Sequence, residues 1–257
     1  FFDKDRNPKS VAGEHLRFCE VLDKLPGRKL PDYRRNGVIV VPRDDGDGGL
    51  DLLRATFVLG KRANLDFGFA YGLDKIPEAP LYILPSLAQN KAKPGTRLDE
   101  ILNKVDAGAV LYVSLDTALF RQVPEIFGVE IAFRECCTMD KTVIMEGEKL
   151  PVTVNVEYHI ESATAEVIAC DEKGIPVIFK QKRGKGYVYL SLVPVESYLT
   201  NRRGAFFHKD EPRYDLLYRE LAKAAGIRRL VDCDSPFLRF TEHPVDEHSG
   251  YICAINY

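Results

Sequence analysis

Residue types able to do chemistry fall in a few short segments. Ser114-Leu115-Asp116-Thr117 follows the apolar run Ala109-Val110-Leu111-Tyr112-Val113, a place where a strand can turn and present a nucleophile. A serine elbow of the G-x-S-x-G kind needs glycine around the sharp turn, and glycine is absent on both sides of Ser114. The Ser114 hydroxyl is therefore expected to cap a helix starting at Thr117. Val193-Pro194-Val195-Glu196 places a carboxyl group after a later apolar run. Asp44-Asp45-Gly46-Asp47-Gly48-Gly49 alternates carboxylates with glycine, as an oxygen-lined cation turn would. It lacks the later Glu of an EF-hand and reads as a solvated loop at the C-terminal edge of a sheet, where open α/β sheets hold ligands.

Gly184-Lys185-Gly186 is too short for a phosphate-binding loop and falls between strands, so it reads as a hairpin turn. His208, His243 and His248 have no Cys or His at ligand spacing and are expected to be exposed loop residues. Tyr198, Asn201, Arg202, Arg203 and His208 form a polar loop, either solvated or reaching a neighbouring subunit or active site. Glycoside hydrolysis needs two carboxyl groups about 5–9.5 Å apart. The Asn-Glu dipeptide that marks the acid in many barrel glycosidases does not occur, and the chain has no Trp to stack on sugar rings. No catalytic residue, metal or cofactor is assigned. The candidate ligand-binding positions are Asp44, Asp45, Ser114, Asp116, Glu196 and Arg202.

The elements that would position these groups alternate. Phe18, Val21, Leu22 and Leu25 have helical spacing over residues 10–25, and Pro26-Gly27 stops the helix. A run rich in β-branched residues at 37–42 reads as a buried strand and the segments 65–71, 81–85 and 109–113 as further strands, with helices after residue 49, over 96–107 and around 117–127. Such alternation implies βαβ units about a mainly parallel sheet. From 142 to 193 the pattern changes to a run of strands, closed by a helix at 211–225. Two further strands, 237–243 and 250–256, flank a turn at Asp246–Gly250.

The 257 residues carry 36 Lys and Arg against 38 Asp and Glu, a balance that lacks the basic footprint of a nucleic-acid binder. No apolar run reaches the ~20 residues of a membrane span. Six cysteines without framework spacing suggest reduced thiols in a cytoplasmic protein. Methionine occurs only at Met139 and Met145, and the last residues form an apolar alternating run. The chain is therefore expected to be a fragment of a longer one.

Several of these segments resemble the C-terminal part of bacterial glycoside hydrolases of the beta-galactosidase type that carry a trimerisation domain. They are Leu81-Tyr82-Ile83-Leu84-Pro85-Ser86, Leu98–Gly108 leading into Ala109–Val113, Val123-Pro124-Glu125-Ile126-Phe127-Gly128-Val129-Glu130, and Gly184-Lys185-Gly186-Tyr187-Val188-Tyr189-Leu190 followed by Pro194. The resemblance implies the end of a (β/α)8 barrel over 1–36, a flavodoxin-like, class I glutamine-amidotransferase-like three-layer α/β domain over 37–230, and the start of a C-terminal β domain over 231–257. A working glutaminase of that kind needs a Cys nucleophile after the fourth strand and a His-Pro-Glu run after the last. Here Ser114 and Val193-Pro194-Val195-Glu196 stand at those places, so neither reacting group is present.

The resemblance thus implies a non-catalytic companion domain for oligomerisation and shaping an active-site rim, in a hydrolase of β-linked glycosides such as β-galactosides. Its partners would be further copies of itself, a trimer by analogy, and a carbohydrate held by an upstream barrel. Two other readings stay open: a free-standing small-ligand module using the loops after Pro42, Ser86 and Val113, and a divergent hydrolase using Ser114 or Asp116.

Overall fold

A computed structural model describes residues 2–41, 49–71, 75–88, 95–202, 204–206, 210–233, 235 and 238–256. Asp44, Asp45, Arg203 and His208 lie outside the described residues. The chain divides into two compact units, residues 35–239 with 256–257, and residues 1–34 with 240–255.

The larger unit is built on one nine-stranded sheet in the order β2-β1-β3-β4-β9-β8-β7-β5-β6. Its parallel part holds β1 (Gly37–Val41), β2 (Phe67–Tyr71), β3 (Leu81–Leu87), β4 (Val110–Leu115) and β9 (Gly186–Ser191). Every residue of β1 and β4 is buried, the signature of strands covered on both faces. Period-two geometry sends Ile39, Val41 and Tyr112 to one face and Val38, Val40, Leu111 and Val113 to the other. The first face packs on α2 (Gly49–Arg62), α5 (Val195–Asn201) and α6 (Asp215–Ala224), through Leu53, Leu59, Leu199, Leu217 and Leu221. The second packs on α3 (Gly95–Ala107) and α4 (Val123–Phe127), through Ile101, Val105 and Ile126.

The antiparallel part holds β5 (Val129–Met145), β6 (Glu148–Ala163), β7 (Glu166–Asp171) and β8 (Pro176–Arg183). On β6, Leu150, Val152, Val154, Val156 and Tyr158 are buried, while Lys149, Pro151, Asn155 and others between them face out or lie half-buried. The expected hairpin between β8 and β9 is present, with Arg183 opposite Gly186. Gly186 is required by close approach: a Cβ there would lie 1.9 Å from the Ala109 carbonyl oxygen and 2.5 Å from that of Val105.

Three expectations are corrected here. The helix expected over 117–127 is only Val123–Phe127. Proline in a helix interior removes a hydrogen bond and clashes with the preceding turn, but it suits the first turn, and Pro124 sits there. Residues 116–118 instead wrap one acceptor, with the N–H groups of Asp116, Thr117 and Ala118 all donating to the Leu87 carbonyl. The Tyr158 hydroxyl donates to the Ala118 carbonyl at 2.7 Å, and Arg134 donates to that of Thr117. Likewise the polar loop expected from Tyr198 is in its first part helix α5, and the strand pattern expected from 142 begins at Val129.

The smaller unit holds α1 (Ser10–Asp23) and most of a two-stranded sheet of β10 (Leu238–Pro244) and β11 (Gly250–Asn256). Ala12 is the one buried residue of α1, and Val11, Leu16, Phe18 and Val21 are each more than half exposed. His243, expected in an exposed loop, is buried on β10. One ring nitrogen is 2.7 Å from the Pro31 carbonyl oxygen and the other 2.8 Å from the Thr241 hydroxyl. No described helix is long and apolar enough to cross a membrane.

Candidate functional site

The C-terminal ends of β3 and β4 meet the start of α5 at a cluster of polar side chains. Pro85 has no N–H to give to a ladder, and the β3–β4 register shifts between Leu84 and Leu87. Ser86, in this irregularity, adopts a left-handed backbone with φ +43°. Its N–H is thereby aimed at a side chain and donates to Ser114 Oγ at 2.6 Å. The Ser114 hydroxyl donates to Glu196 Oε2 at 2.8 Å, and the Ser86 hydroxyl donates to the same oxygen at 3.1 Å. Tyr218 of α6 donates to Glu196 Oε1 at 3.0 Å. The Ser197 N–H at the first turn of α5 donates to Ser86 Oγ at 3.1 Å.

Both Ser114 and Glu196 are 0% exposed. Tyr112 lies on the same face of β4 as Ser114 and carries its hydroxyl among Ser114, Ser191 and Glu196. Burial first, and the Glu196 carboxyl second, push the phenols of Tyr112 and Tyr218 well above the ordinary value.

A buried carboxyl group that accepts three hydroxyl hydrogens is a satisfied hub of the kind interiors require. For nucleophilic catalysis the serine needs a base able to take its proton, and a surface a substrate can reach. Ser114 has the Glu196 carboxyl in place of an imidazole, and no exposed surface. No described histidine bonds Ser114: the His15 ring meets Cys19, His159 stacks on Phe133, the His243 ring meets Pro31 and Thr241, and His248 lies in the turn where its backbone N–H donates to Asp246. Ser114 was expected to cap a helix at Thr117; no helix begins there, and its hydroxyl turns to Glu196 instead.

Of the six sequence candidates, the structure brings Ser114, Asp116 and Glu196 to one sheet edge. Asp116 is half-buried, with Asn155 Nδ2 at 3.5 Å from Oδ1. Burial raises its carboxyl above the usual range, and hydrogen bonds from Asn155 and Ser197 partly offset that. Arg202, after α5, donates to Glu211 Oε2 at 2.8 Å rather than joining this cluster. Asp44 and Asp45 fall outside the described residues. Among the described residues no group of three or more His, Cys, Asp and Glu side chains is arranged to hold a metal ion. Sequence reasoning missed Ser86, Tyr112 and Tyr218. The Pro85-Ser86 step at the end of an apolar strand was the available signal for the first.

Neither a protein-family model nor a curated protein sequence matches the chain. Solved structures do. The cold-adapted β-galactosidase of Rahnella sp. R3 superposes with a TM-score of 0.64 at 15% identity, over 100% of this chain and 41% of that one. The fold is one that β-galactosidases carry. A GH42 β-galactosidase of G. stearothermophilus matches with a TM-score of 0.62 at 14% identity, over 95% of this chain and 38% of its own. An exo-β-1,4-mannosidase from Opitutaceae bacterium strain TAV5 matches with 0.61 at 14% identity, over 88% and 40%. The chain thus spans about two fifths of the length of these β-galactosidase-fold neighbours.

Proposed function

We propose that the chain is the non-catalytic companion portion of a glycoside hydrolase acting on β-linked glycosides such as β-galactosides. In this reading residues 37–230 form an amidotransferase-like α/β domain. It serves association of subunits, a trimer by analogy, and shapes the rim of an active site carried elsewhere in the whole protein. The observation that carries the reading is the Ser114–Glu196 pair. It occupies the sheet edge where open α/β folds place their chemistry, yet both side chains are fully buried and bonded to one another. The shared fold and the two-fifths coverage of β-galactosidases and a mannosidase support the hydrolase context.

The test is turnover of an aryl β-galactoside and of glutamine by the purified chain. No turnover above buffer is expected for either. Turnover that disappears in Ser114→Ala or Asp116→Ala would overturn the reading in favour of a hydrolase using those residues.

A further inference from the structure

The ends of α2 and α5 and the start of α6 bring together guanidinium groups that the Ser114–Glu196 hub does not use. Arg62 closes α2, Arg202 follows α5 and Arg213 precedes α6. Between them lie two buried carboxylates, Glu211 and Asp215, and both act on the charge of Arg62.

The Nε–H and Nη2–H groups of a guanidinium point the same way, a fork that fits two oxygens of one carboxylate or phosphate. Arg213 fills its fork with Asp215, each nitrogen 3.0 Å from one carboxylate oxygen. In Arg62 the same two nitrogens are buried and find no acceptor among the described residues. Neither nearby carboxylate turns to them. Glu211 Oε2 takes Arg202 Nη1 at 2.8 Å, and Arg219 Nε adds to Arg213 on Asp215 at 2.8 Å. The half-buried Phe206 covers the face of the Arg62 guanidinium, its ring centroid 5.2 Å from Cζ. Burial lowers the Arg62 guanidinium below its ordinary value, and the two carboxylates oppose that.

Buried donors on a charged group are costly to leave unmade, and this pair accepts one kind of partner. A cation is repelled by the guanidinium itself, and a neutral ligand leaves the desolvated charge unmatched. An oxyanion supplies two acceptors at the spacing of the fork and the opposite charge together. Arg62 lies half-buried beneath one ring, a recess that suits a single small group. We propose that Arg62, with Arg202 and Arg213 at its rim, is a binding site for the carboxylate or phosphate group of a small molecule, independent of the companion-domain reading.

The test is a ¹H–¹⁵N spectrum of the arginine Nε–H groups of the chain, titrated at constant ionic strength with inorganic phosphate and, separately, with acetate. The Arg62 signal, assigned by its loss in Arg62→Lys, is expected to move with a Kd of about 1–10 mM. That of Arg183, beside Asp106 of α3, should stay fixed. Arg62→Lys keeps the charge and loses the fork, so phosphate binding followed at the Phe206 amide should weaken about tenfold. Tighter binding of phosphate assigns the ligand to phosphorylated molecules and tighter binding of acetate to carboxylic acids; both uphold the site. An Arg62 signal unmoved by either anion, or moved as much by chloride, would overturn the proposal, as would a folded lysine variant that binds phosphate as the parent does. Such a failure leaves the turnover test of the companion role untouched.

Discussion

Replacing Glu196 by Ala is the sharpest perturbation of the hydrogen-bond hub. The carboxyl group accepts from Ser86, Ser114 and Tyr218 at 3.1, 2.8 and 3.0 Å, and it is fully buried. Alanine would strand three hydroxyl donors, and each unsatisfied buried group costs about 1–3 kcal/mol. Partial relaxation is open to Tyr218, whose hydroxyl can turn toward the nearby Thr56. Ser86 and Ser114 are held by N–H donors from Ser197 and the Ser86 backbone and have less freedom. The net loss is about 3–5 kcal/mol, which at about 2–4 °C per kcal/mol lowers Tm by about 6–20 °C. Gln at the same position keeps one acceptor oxygen and exchanges the other for a donor, so Glu196→Gln should lose about 1–3 kcal/mol. Urea unfolding followed by circular dichroism, with a thermal melt at the same pH, measures both. An alanine variant within about 1 kcal/mol of the parent, smaller than the cost of even one stranded donor, would refute the closed-hub reasoning.

Other outcomes follow from the same structure. Gly186→Ala drives a Cβ against the Ala109 and Val105 carbonyls, so the turn of the β8–β9 hairpin must move from α3, at the upper end of the about 1–3 kcal/mol typical of overpacking; a denaturant midpoint unchanged from the parent would contradict it. Burial raises the phenols of Tyr82 (to about 12), Tyr112 and Tyr218. The unfolded chain therefore releases protons near the ordinary tyrosine value of about 10 that the folded chain keeps, so stability is present below that pH and falls above it. Tyrosinate absorbance should then rise late and together with loss of ellipticity, and a smooth rise of all tyrosines at pH 10 with the fold intact would count against this. Asp232 binds Asn64 and Arg219 at 2.7 and 3.2 Å, and Asp232→Ala should speed amide exchange in residues 226–233 more than in β4; uniform exchange would exclude such a clasp.

How much of this was legible in the sequence depended on whether burial wrote a simple pattern. β1, β3 and β4 are buried on both faces and so appear as short, mostly apolar runs, rich in β-branched residues in β1. The Gly184-Lys185-Gly186 turn was legible because only glycine fits beneath Ala109. Helix α5 was not, since its buried face contains Glu196 where a periodic pattern would show a hydrophobic residue. The first half of β5 was hidden because Glu130, Phe133, Glu135 and Cys136 remain largely exposed on a ribbon paired chiefly with β6. Pro124 held the information that α4 begins late, but the apolar residues before it suggested an earlier start. Ser114 and Glu196 were each singled out, yet their contact spans 82 positions and depends on parallel pairing of β4 with β9. Tyr218 completes the hub from a helix whose spacing marked it only as core.

The central claim is a companion role exercised through self-association, and the measurement that meets it most directly is the mass of the chain in solution at micromolar concentration. Size-exclusion chromatography coupled to light scattering should give three times the 29.0 kDa of one chain. A single species at 29.0 kDa would contradict the account.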